Sequence, residues 1–131
     1  MATHFTVEEA NALLETVRPL VERMVEQRRE VVRQLERRQE LGSLTQTNGG
    51  GFPPRLPADI DAALDEAAGE LQRTIEELTE LGVQIKDLDS GLVDFPSYRD
   101  GEEILLCWQL GEEEVAWWHT LDGGFAGRRP L

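Results

Sequence analysis

Between Ile104 and His119 the chain places all three tryptophans (Trp108, Trp117, Trp118), its only cysteine (Cys107) and one of its two histidines. Thiol and imidazole are zinc donors, and a carboxylate from Asp87, Asp89, Asp94 or Asp122 would extend them to a partial ligand set. Strand register argues against that use. A two-residue turn at Gly111-Glu112 sets Trp108 against Val115, Leu106 against Trp117 and Ile104 against His119. Cys107 then pairs with Ala116 on the other face, beside Trp118, and points away from His119. A turn longer by one residue would bring the two together. No Cys-x-x-Cys or His-x-x-x-His spacing occurs, so the expectation is no metal, no cofactor and a buried structural cysteine.

Asp94, in Gly-Leu-Val-Asp-Phe-Pro, has the placement of a catalytic carboxylate. Across the Asp89-Ser90-Gly91 turn, however, it falls opposite Lys86, the sole lysine, and an ion pair between strands explains both. The tail from Asp122 to Leu131 joins glycines to Arg128 and Arg129, a combination that holds anions or pairs with the protein's own acids. It lacks the phosphate-cradling Gly-x-x-x-x-Gly-Lys pattern, and no nucleophile stands beside a base. No catalytic residue is assigned. Two functional readings remain. The leading one is a non-catalytic interaction or regulatory module recognising its partner through Trp118, the Cys107 face and the tail. The other is a small-molecule or metal-dependent enzyme with a pocket of Lys86, Asp94, His119 and Arg128.

These residues need elements to position them. Thr6 and Glu9 form a capping-box pattern, and Ala10, Leu14, Val17, Val21, Met24, Arg28, Val31, Leu35 and Arg38 follow a 4-3 spacing. Pro19 interrupts that stripe, which predicts a short N-terminal helix ending by Leu14–Val17 and a longer one from Arg18 to Leu41. Residues 42–57, rich in Gly and Pro, read as a flexible loop in which Phe52 and Arg55 could touch a partner. Ile60, Leu64, Ala67, Leu71, Thr74, Leu78 and Leu81 mark a second helix over 58–82. An Arg-rich end (Arg28, Arg29, Arg33, Arg37, Arg38) beside an acidic start (Asp59, Asp61, Asp65, Glu66, Glu70) selects an antiparallel, coiled-coil-like hairpin over 6–41 and 58–82. Turn signals at Asp89-Ser90-Gly91, Arg99-Asp100-Gly101 and Gly111-Glu112 divide 83–131 into four strands and a tail. The predicted fold is therefore α+β, one domain, with the hairpin packed on a four-stranded antiparallel meander. Leu105 and Cys107 add apolar surface opposite Ile104, Leu106 and Trp108, so both sheet faces should be covered.

Net charge narrows the partners. It is −13 over 131 residues, and from Gly42 onward five Arg and Lys86 stand against eighteen acids. Such a surface repels phosphate backbones, which excludes nucleic acid as the expected partner. No apolar run is long enough for a membrane span. Leu13, Leu20, Val25 and Val32 lie off the hairpin seam, so a homodimer or a protein partner is expected. The single cysteine and the absence of a basic, apolar leader fit a reducing cytoplasm.

The motifs Phe-Thr-Val-Glu-Glu-Ala-Asn-Ala-Leu-Leu, Lys-Asp-Leu-Asp-Ser-Gly-Leu-Val-Asp-Phe-Pro, Leu-Cys-Trp-Gln-Leu-Gly-Glu, Trp-His and Gly-Phe-Ala-Gly-Arg together span nearly the whole chain. In these the sequence resembles a bacterial conserved-domain family of unknown function. The resemblance implies a small cytoplasmic prokaryotic protein. It brings no activity and no functional residue.

Overall fold

The computed structural model describes residues 3–47 and 55–131, with side chains described up to Gly42 and again from Asp59. Helix α1 runs Val7–Thr47 and α2 Arg55–Glu80. The capping box is formed: Glu9 N–H donates to Thr6 Oγ1 at 3.1 Å, and Thr6 N–H donates to Glu9 Oε1 at 2.9 Å. At the other end of the pair, Gly82 (φ 93°) closes α2. Its N–H reaches Thr79 O, and the Val83 N–H reaches Leu78 O, the doubly bonded glycine cap of a helix C-terminus.

The expected break at Pro19 is absent, so there is no separate short N-terminal helix. Pro19 lies inside α1 on its exposed side, while Leu14, Val17, Leu20 and Val21 around it are buried. A proline in a helix interior costs about 3 kcal/mol. Each buried aliphatic side chain returns roughly 1.5–3 kcal/mol, so packing on both sides of the ring outweighs the lost hydrogen bond. Both helices also extend into the segment expected to be loop. Phe52 lies outside the described residues, as does the side chain of Arg55.

The seam residues of α2 behave as their spacing predicts, with Ile60, Ala67, Leu71, Thr74 and Leu78 buried. Charge pairing between the helices is thinner than expected. Arg38 meets Asp61 at 3.3 Å, but Arg29 and Arg33 pair with Glu26 and Glu30 of their own helix, and Arg28 reaches Asp89. Leu20 and Val25 are buried, and Leu13 packs on the same core. Of the off-seam residues these three are therefore covered within one chain, while Val32 is half-buried and outside that core.

Five strands follow: β1 Gln84–Asp87, β2 Leu92–Arg99, β3 Glu102–Gln109, β4 Trp117–Thr120 and β5 Arg129–Pro130. They pair antiparallel in chain order. The fifth strand corrects the expected four: the tail returns along β4, and Leu131 N–H donates to Ala116 O at 2.9 Å. Val93, Phe95, Ile104, Leu106 and Trp108 join the helices in the main core. On the opposite face Asp94, Pro96, Leu105, Cys107 and His119 are also buried, so both faces are covered. No helix among the described residues is long and apolar enough to cross a membrane.

Two registers differ from expectation. Lys86 does not face Asp94, because β1 bulges between Ile85 and Asp87 and Gln84 takes the place opposite Asp94. The β3–β4 register is shifted by one residue: Leu105 pairs with His119, Leu106 with Trp118 and Cys107 with Trp117. The cause is a wide connection in place of a tight turn. Asn11 of α1 clamps Val115 from both sides, accepting its N–H at 2.7 Å and donating to its carbonyl at 3.4 Å. Arg18 donates to Glu113 O, and Trp108 Nε1–H donates to Glu112 O at 3.0 Å. The acidic run Glu112–Glu114 is thus drawn out of the ladder, and every residue of β4 changes face relative to a two-residue hairpin.

Gly91 shows how closely the sheet sits on α1. It has φ 72°, and a Cβ there would lie 2.9 Å from Val21 Cγ1 and from Leu110 Cβ. Gly91→Ala is expected to cost about 2–4 kcal/mol in urea unfolding, by strain plus overpacking. Gly101→Ala, at φ 81° but with open space around it, should cost only about 1 kcal/mol.

Candidate functional site

The shifted register assembles a site that a two-residue turn would have scattered. Asp94 on β2 stands opposite Cys107 on β3, and His119 enters from β4 two positions along the same face. Asp94, Cys107 and His119 are 1%, 0% and 2% exposed, and each offers a donor atom within 4.8 Å of the other two. The expectation that Cys107 and His119 point apart is overturned, by the longer connection that would bring them together.

Hydrogen bonds orient the imidazole. Nδ1 lies 2.7 Å from the Thr120 carbonyl, and because a carbonyl only accepts, Nδ1 carries the proton there. Nε2 therefore faces Asp94 Oδ2, at 2.9 Å, with one proton between them. Asp94 Oδ1 is buried without a hydrogen-bond partner among the described residues, while the Cys107 thiol also bears on the carboxyl from the facing strand. Burial pushes the Asp94 carboxyl above its ordinary range, and the adjacent His119 works in the opposite direction. Burial, reinforced by the charge of Asp94, pushes the Cys107 thiol up to about 12. At neutral pH it is an unreactive thiol.

Arg128 closes this side of the sheet. Its guanidinium donates to both Glu112 carboxylate oxygens, at 2.7 and 2.9 Å, and to the Cys107 carbonyl at 3.4 Å. It also stacks over Trp117 at 5.0 Å and Phe125 at 4.7 Å, folding the tail onto the Cys107 face. Of the two uses foreseen for Arg128, pairing with the protein's own acids is the one realised. The proposed enzyme pocket is not realised as drawn. Asp94 and His119 meet, but they are buried and not in an open cleft. Lys86 is exposed at the bulge, and its charge is the smallest of the influences on Asp94.

Trp118 lies on the opposite face from Cys107, correcting its expected side; Trp117 holds that place. Trp118 is half-buried and carries two guanidinium groups over its ring, Arg99 at 4.7 Å and Arg129 at 5.4 Å from the centroid. Both arginines are exposed and neither has an ion pair among the described residues. They border a depression of about 500 Å3 with Trp118, Thr120 and Leu121, which Asp100, Glu102 and Glu103 also line, Glu102 as the cross-strand partner of Arg99. A neighbouring hollow shares Arg99 and Ile104 and is lined by Tyr98 and Leu131. Tyr98, Leu121 and Leu131 are exposed. Sequence reasoning found Trp118 and the tail arginines but missed Arg99 and Tyr98, because only the folded sheet brings the Arg99 side chain from the end of β2 across β3 to the Trp118 ring on β4.

A profile of the family described as Uncharacterized conserved protein (DUF2203) matches residues 3–131, and the chain belongs to that family. No curated protein and no solved structure matches it.

Breaking the buried pair should be costly. His119→Ala removes the imidazole that pairs with the buried Asp94 and is expected to lose about 3–5 kcal/mol in urea unfolding. His119→Gln, which retains an amide donor, should lose less. In the folded protein Cys107 is expected to resist a disulfide reagent at pH 8 for as long as urea-unfolded protein takes to react to completion.

Proposed function

We propose that this member of a family without an assigned activity is a non-catalytic interaction or regulatory module. Its recognition surface is Trp118 with the two arginines stacked on it, extended by Tyr98, Leu121 and Leu131. The observation that carries this reading is the pair of guanidinium groups held over one tryptophan ring, neither in an ion pair among the described residues, in a chain of net charge −13. Trp, Tyr and Arg are the residues that dominate binding energy at protein interfaces. Stacking limits the freedom of both guanidinium groups, so less entropy is lost when they grip a carboxylate in the bidentate manner.

The partner is a protein segment bearing carboxylates. A second copy of the chain qualifies, since the α2 surface carries exposed acids such as Glu66, Glu70, Glu76, Glu77 and Glu80. Self-association through this surface does not require a seam on α1, where Leu20 and Val25 are buried within the chain. The same surface remains a poor match for nucleic acid, because acids rim it and dominate the chain. A reducing bacterial cytoplasm suits a protein whose one thiol is buried and unpaired.

Light scattering on the full chain across micromolar concentrations tests this. Association is expected to weaken about tenfold or more in Trp118→Ala and in the Arg99→Ser/Arg129→Ser double variant, with far-UV circular dichroism unchanged, and to weaken with added salt. A wild-type chain that stays monomeric to hundreds of micromolar removes self-association. Loss of the fold in Trp118→Ala with native behaviour of the arginine variant would assign Trp118 to packing alone.

A further inference from the structure

We propose that Asp94, Cys107 and His119 form a zinc site on the face of the sheet away from the helices. This stands apart from the recognition surface, which occupies the other face. Three observations support it. First, the donor set is a thiol, an imidazole and a carboxylate, gathered from three adjacent strands with all donor atoms within 4.8 Å. Tetrahedral zinc with bonds of about 2.0–2.3 Å separates its ligand atoms by about 3.3–3.5 Å, so the widest pair closes by roughly 1.3 Å or less.

Second, His119 is arranged as a metal ligand is. Its Nδ1–H donates to the Thr120 carbonyl at 2.7 Å, which fixes the tautomer and leaves Nε2 to coordinate. Third, Asp94 Oδ1 is buried with no hydrogen-bond partner. A buried carboxylate oxygen left unpaired costs on the order of several kcal/mol, and metal coordination removes that penalty. His119 Nε2, Cys107 Sγ and the Asp94 carboxylate supply three ligands, the two carboxylate oxygens sharing one vertex of the tetrahedron, and a water takes the fourth.

Charge favours a divalent ion. Thiolate and carboxylate contribute two negative charges against two positive ones, so the loaded site is neutral, as a buried site should be. Binding releases two protons to solvent, the one on the Cys107 thiol and the one shared by Asp94 Oδ2 and His119 Nε2; the Nδ1 proton stays. Thiolate with imidazole selects zinc over magnesium or calcium. Arg128 does not oppose the ion with a free charge, because Glu112 neutralises it at 2.7 Å. The tail carrying Arg128 lies over this face.

The full chain, stripped with chelator and dialysed, is titrated with Co(II) and then with Zn(II). Because Cys107 is the only cysteine, a thiolate-to-cobalt charge-transfer band can arise at this site alone. The expected result is one Co(II) per chain with that band, displacement by one Zn(II), and a Tm raised by several degrees. His119→Gln and Cys107→Ser should each lower zinc affinity roughly a hundredfold or more, beyond the loss typical of a supporting residue. Absence of the band with stoichiometric Co(II) on natively folded protein overturns the proposal. So does zinc uptake that persists in Cys107→Ser. Should either variant fail to fold, the wild-type cobalt spectrum decides the matter by itself.

Discussion

One side-chain amide holds the arrangement of the second half of the molecule. Asn11, on the first turns of α1, offers Val115 one acceptor and one donor, matching the two backbone groups that a β-hairpin would satisfy with its neighbouring strand. By taking them over, the helix decides where β4 begins. The glutamates before Val115 are then free to leave the ladder, and Trp117–Thr120 enters it one residue out of step with a tight turn. Asp94, Cys107 and His119 share a face for that reason. The alternative register would place the imidazole against the helix-side core and leave the Asp94 carboxyl buried without its partner. That penalty is about 3–5 kcal/mol, comparable to the net stability of a small domain. The clamp and the buried pair therefore enforce the same register from two ends of the strand.

The sheet separates two kinds of chemistry by its pleat. Its helix side is an apolar core up to Trp118, where the helices end their cover and Arg99 and Arg129 take over. Its other side is a small polar cluster sealed by Arg128, Trp117 and the tail. Adjacent residues Trp117 and Trp118 thus belong to different systems, one to closure of the tail and one to the surface offered to a partner. The tail serves both, since Arg128 and Arg129 point to opposite faces of β4.

Much of the fold is legible in the sequence because it rests on local rules. The 4-3 spacing identified the buried stripe of α2 and that of α1 as far as Val31, beyond which Leu35 and Arg38 are exposed; the Thr6/Glu9 box and Gly82 marked helix ends, and Asp89-Ser90-Gly91 and Arg99-Asp100-Gly101 placed β2. What failed depends on distant residues. Pro19 breaks an isolated helix, but here its ring faces solvent between buried neighbours. Gly111-Glu112 has the chemistry of a hairpin turn, and nothing near it reports that Asn11 will hold Val115. Lys86 is removed from Asp94 by a single bulge. The members of the buried site, Asp94, Cys107 and His119, were each visible as candidates. Their convergence was not, because it turns on a one-residue difference in a connection pinned from the other end of the chain.

Cross-strand nuclear Overhauser effects between β3 and β4 test the register most directly. The account predicts contacts pairing Leu105 with His119 and Cys107 with Trp117, together with one between the His119 ring and Asp94. Contacts pairing Ile104 with His119 and Leu106 with Trp117 would contradict it, and would separate Cys107 from His119 for good.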